Sequence, residues 1–238
     1  MTITRRARSW GIATSLCVLI GTATPARAAL RSPQVAVSGT ALQSFFASQL
    51  QAINAVGSQL DVQRFSVPVG AALQVRSFAT TGGSFGAYNA SLAAPSLYQL
   101  YPGSAGIGWY VVGSFRTLPD RLVVNLFDAG NVSQGSTTYL GADRTDFAFY
   151  AQDVAGTFYA QDARNPGAAP RILAYAGTGV RTGSTWFACE TGAGPGGDFA
   201  DLIMLVDMGS SPVHASPTCW GRVKALYNLM PPARGAGR

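Results

Sequence analysis

Three carboxylates near the end of the chain carry the clearest chemical signal. Thr185-Trp186-Phe187-Ala188-Cys189-Glu190 leads into the loop Thr191-Gly192-Ala193-Gly194-Pro195-Gly196-Gly197. Asp198-Phe199-Ala200-Asp201 and the apolar run Leu202–Val206 follow. Two strands flanking a glycine-rich loop place one acid where the first strand ends and two where the second begins. That layout can gather Glu190, Asp198 and Asp201 at one end of a sheet. Calcium takes about 6–8 oxygen ligands, which carboxylates supplemented by loop carbonyls and water can supply. Acids that only solvate the loop and finish the strands are the competing reading. Glu190 is the only glutamate in the chain.

Two other constellations could do chemistry. Gly82-Gly83-Ser84-Phe85-Gly86 has the G-x-S-x-G form, and the order Ser84, Asp198 or Asp201, His214 fits an α/β-hydrolase triad. Against it, no alternating βαβ pattern surrounds Ser84 and no HGGG-type oxyanion segment occurs. His214 lies in a loop rich in proline and serine, where a solvated imidazole is expected. The reading is therefore non-catalytic. Exposed aromatics among Tyr98, Tyr101, Trp109, Tyr110, Trp186 and Trp220 would allow glycan recognition, although core packing competes for each.

The elements that must position these residues are mostly strands. Candidate strands are 60–67, 72–79, 97–101, 108–115, 121–127, 146–151, 157–160, 171–176, 185–190 and 202–206. Glycine, proline, asparagine or aspartate separates most of them. The expected fold is an all-β sandwich of about ten short strands over residues 29–222. One short N-terminal helix precedes them: Thr40 can cap it, and Leu42, Phe45, Phe46, Leu50, Ile53 and Val56 follow helical spacing up to Gly57. Residues 223–238 are expected to be a short closing helix and a frayed tail.

The first 28 residues read as an export signal. Arg5, Arg6 and Arg8 precede the uncharged stretch Trp10–Ile20, which is too short to span a bilayer, and Ala26-Arg27-Ala28 supplies an A-x-A cleavage site. The expected location is secreted or periplasmic, with no membrane span in the mature chain. Cleavage would also remove four of the 17 basic residues, leaving 13 basic against 11 acidic groups in residues 29–238. Nucleic acid is thus not an expected partner, since its binding needs a dense basic face. Surface polysaccharide or protein fits better. After cleavage Cys189 and Cys219 remain. In an oxidising compartment they are expected to pair, closing a loop of about 30 residues worth roughly 3–4 kcal/mol.

Residues 146–207 resemble an exported bacterial family, domain of unknown function 4114. The resemblance rests on Asp146-Phe147-Ala148-Phe149-Tyr150, Gly156-Thr157-Phe158-Tyr159, Asn165-Pro166-Gly167, Ile172-Leu173-Ala174-Tyr175, Trp186, Glu190 and the closing Asp198-Phe199-x-Asp201. Upstream, Ser84–Asn89 and Leu97–Gly103 extend it over most of residues 40–208. It implies a secreted, calcium-associated β-sandwich of cell surfaces or extracellular matrix, with no established reaction. The chain departs from the family at Thr191, Gly196 and Ala200, which stand where the family carries an acid, an aspartate and an asparagine.

Overall fold

The computed structural model describes residues 28–80, 82–192 and 197–208. Twelve strands follow one helix: α1 (Ala41–Ser48), β1 (Gln59–Leu60), β2 (Ala72–Thr80), β3 (Ser84–Asn89), β4 (Leu97–Tyr101), β5 (Tyr110–Arg116), β6 (Arg121–Phe127), β7 (Ser133–Leu140), β8 (Phe147–Asp153), β9 (Gly156–Tyr159), β10 (Ile172–Ala176), β11 (Ser184–Cys189) and β12 (Leu202–Asp207). Every pairing is antiparallel. An eight-stranded sheet runs β1-β10-β11-β12-β2-β5-β6-β7, and a four-stranded sheet runs β4-β3-β8-β9. The expected all-β sandwich with a short helix is the observed architecture.

The core between the sheets is aromatic. Phe85 of β3, Phe149 of β8 and Phe187 of β11 stack and tilt against one another at ring separations of 4.9–5.9 Å. The alternation of side chains along each strand sends the intervening residues to the opposite face. On β10, β11 and β12 that opposite face is buried too: Leu173, Tyr175, Trp186, Ala188, Ile203 and Leu205 pack against Leu42 and Phe46 of α1. Burial on both faces explains why these strands read as continuous apolar runs rather than alternating ones. By contrast, β2, β5 and β6 alternate buried and half-buried residues.

Three details correct the sequence reading. The helix ends at Ser48, because Leu50 adopts a left-handed φ of 55° that no helix can continue through. Ile53 still returns to the helix-side core, but Val56 is exposed and Gly57 plays no part in ending α1. Thr40 takes the N-cap position without making a side-chain cap; only its carbonyl bonds, accepting from the Ser44 N–H. Next, the expected strand 60–67 shrinks to β1. Past Leu60 the chain crosses from the large sheet to the small one, where Phe65 forms an isolated bridge to Phe147. A crossing segment cannot stay paired with the sheet it leaves.

Two further strands, β3 and β7, carry no strand signal in their sequences. β3 is one of the two inner strands of the small sheet, between β4 and β8, yet its Ser-Phe-Gly-Ala-Tyr-Asn sequence carries a glycine and turn formers. β7 is a polar edge strand, Ser-Gln-Gly-Ser-Thr-Thr-Tyr-Leu, with no apolar alternation to reveal it. The export segment, His214, Cys219, Trp220 and the expected closing helix and tail lie outside the described residues. Among the described residues no helix is long and apolar enough to cross a membrane.

Candidate functional site

The antiparallel pairing of β11 with β12 puts Cys189 opposite Leu202, so the next residue on each side, Glu190 and Asp201, stands at the same end of the sheet. An oxygen of each carboxylate lies within 3.5 Å of one point, the position that a Cβ on Gly192 would occupy. The sequence expectation that these acids gather is met for Glu190 and Asp201. Asp198 contributes to the local negative field but faces a different task.

Each carboxylate also holds backbone. Asp201 Oδ2 accepts the N–H groups of Thr191 and Gly192, both at 2.9 Å. Glu190 Oε2 accepts the Phe199 N–H at 3.3 Å, and Asp198 Oδ1 accepts the Ala200 N–H at 3.0 Å. Glu190 and Asp201 tie the two ends of the loop to one another, while the Asp198 bond is local to its own turn. Glu190 is buried, and burial pushes its pKa up. The Asp201 and Asp198 charges push the same way, and the hydrogen bond from Phe199 only partly offsets them.

Packing explains why the loop takes this course. Phe199 is buried in the helix-side core with a left-handed φ of 54°, an uncommon conformation for an aromatic residue. Its ring anchors the turn between Asp198 and Asp201. At Gly197 a Cβ would land on the Glu190 carboxylate, so a side chain there would have to displace that carboxylate from its place.

Sequence reasoning missed Arg171. Its Nη1 donates to the Gly192 carbonyl at 3.2 Å, its guanidinium lies 5.2 Å from the Phe158 ring, and its own carbonyl accepts the Glu190 N–H. Nothing in the sequence flags it, because only the β10–β11 register brings it beside residues some 20 positions away. Among the described residues no three Asp, Glu, His or Cys side chains form a group able to hold a metal ion. An ion at this end would therefore rest on Glu190 and Asp201, completed by loop carbonyls and water, a donor set of the kind calcium accepts.

The other candidates fall in different places. Cys189 is fully buried on the core side of β11, and burial pushes its thiol pKa up; its expected partner Cys219 lies outside the described residues. Ser84 opens β3 and its hydroxyl donates to the Gln152 carbonyl at 3.4 Å. A strand follows it, whereas a nucleophile elbow needs a strand-to-helix turn. Tyr98, Tyr101 and Trp186 are core residues, not exposed platforms. Trp109 and Tyr110 are half-buried; Tyr110 stacks on Phe127 at 5.1 Å with Arg76 over its other face.

Fold and site together define a two-sheet antiparallel sandwich with an acidic, glycine-rich loop at one end. Compared with known protein families, curated proteins and solved structures, the chain matches none.

Proposed function

We propose that this chain is an exported, non-catalytic β-sandwich module of the cell surface or extracellular matrix, with its acidic loop stabilised by calcium. The observation that carries the calcium reading is the convergence of Glu190 and Asp201 on one point beside Gly192. Two carboxylates so placed repel each other, and a divalent cation between them would relieve that repulsion. The resemblance to domain of unknown function 4114 supports the same reading. Export rests on the arginine-led apolar segment and its A-x-A site. A Cys189–Cys219 disulfide belongs to this proposal, and intact-mass measurement with and without reductant checks it.

The test is thermal unfolding of residues 29–238 in chelator and in about 2 mM calcium. With a Kd of about 0.1 mM, calcium adds roughly 1.8 kcal/mol. That raises the Tm by about 4–7 °C. Asp201→Asn is expected to abolish the rise. A Tm indifferent to calcium would overturn the calcium assignment and leave the three acids as backbone clamps only.

A further inference from the structure

The two sheets are unequal, and their mismatch leaves a cleft. The small sheet stops at β4, while the large sheet continues past it to β6 and β7. Between these edges lies a cavity of about 310 Å³. That volume falls at the lower end of the roughly 300–1,000 Å³ range of small-molecule clefts.

Its floor is apolar, formed by Leu100 of β4 and by Val124 and Leu126 of β6. Its rim is polar: Gln99 and Thr137 are exposed, and Tyr139 is half-buried with its ring 5.6 Å from that of Tyr98. None of the residues lining the cleft is charged. A charged ligand would find no opposite charge in the lining to offset its desolvation, which favours a neutral ligand over ions, nucleotides and acidic polymers. An apolar floor with amide, hydroxyl and aromatic groups at its rim matches a sugar ring, which has C–H faces and hydroxyl edges.

A peptide strand is the other ligand that an open sheet edge invites. At β4 its place is partly taken, because the Tyr139 hydroxyl already donates to the Gln99 carbonyl at 2.9 Å. A strand added to β4 would have to displace that bond. A sugar can lie over the Tyr139 ring and leave it intact.

The geometry points to this cleft as a binding site for a neutral polysaccharide. The assignment deepens the reading of the protein as a surface module, but it does not depend on calcium. The sequence singled out none of its lining residues as a binding residue; the glycan candidate Tyr98 lies outside the lining and packs against the Tyr139 ring.

The experiment uses ¹⁵N-labelled protein comprising residues 29–238, titrated in chelator with cellotriose, maltotriose and mannotriose. Trigalacturonate serves as the anionic comparator, and an uncharged Thr-Val repeat peptide as the strand-forming one. At least one neutral trisaccharide is expected to bind at millimolar concentration, shifting the amides of Gln99 and Thr137. The exposed substitution Thr137→Glu, which keeps the Tm, is expected to weaken that binding about tenfold or more. The assignment is overturned if no neutral sugar binds, if Thr137→Glu leaves the affinity unchanged, if trigalacturonate binds equally well, or if only the peptide perturbs these amides. Working in chelator keeps the result separate from the calcium test. Sugar binding without a calcium-dependent Tm retains the cleft and removes the ion, and the reverse outcome does the opposite.

Discussion

Glu190 shows how one side chain can hold structure at an electrostatic cost. Its carboxylate accepts the Phe199 N–H while facing Asp201, and burial raises its pKa above the unfolded value. For a group raised on folding, the associated stability is fully present below the unfolded pKa. It is lost as pH rises through the folded one. In chelator, the stability of Glu190→Gln relative to the natural protein should therefore rise as the pH is raised from about 4, the ordinary glutamate value. Melting both proteins across a pH series checks this, and parallel Tm curves would refute it. Sequence alone suggested that Glu190 and Asp201 are near neighbours. It did not suggest that each would be committed to loop backbone.

Among the elements, β3 has the least room for change. At Gly86 an added Cβ would meet the Tyr150 ring from β8 and the Tyr98 carbonyl from β4. Neither neighbour can yield easily, since the carbonyl is backbone and Tyr150 is buried. Gly86→Ala is expected to cost about 1–3 kcal/mol or more, measured by urea unfolding. A loss below about 0.5 kcal/mol, within the range of ordinary surface changes, would show that the small sheet is looser than its packing implies. The G-x-S-x-G match thus marks a tightly packed inner strand in which the last glycine admits a tyrosine ring.

For the whole molecule, closure depends on contacts distant in sequence. Arg31, just past the expected cleavage site, pairs with Asp162, 131 residues later in the chain. The N–H of Arg31 also donates to the Gln59 carbonyl, and Leu30 bridges Leu60 at the edge of the large sheet. Burial raises the pKa of Asp162, and Arg31 acts in the opposite sense. Arg31→Ala would leave that carboxylate without its cation, at a cost of about 1–3 kcal/mol in unfolding free energy. Unchanged stability by urea titration would mean that the N-terminal segment is not tied into the fold.

Periodicity and composition determined the fold class, because alternating apolar runs bounded by turn formers have no stable alternative to paired strands. Ordered spacing made a meeting of Glu190, Asp198 and Asp201 at one end of the sheet possible, and the β11–β12 register decided that Glu190 and Asp201 share it. Polar β7 and glycine-bearing β3 were not legible, because their strand character comes from their neighbours rather than from their own side chains. The end of α1 at Leu50 and the role of Arg171 were settled by packing and register. So was the cleft, whose walls come from β4, β6 and β7. It exists only because an eight-stranded sheet is laid over a four-stranded one. A mismatch between two sheets is a property of their assembly, and no local run of residues encodes it.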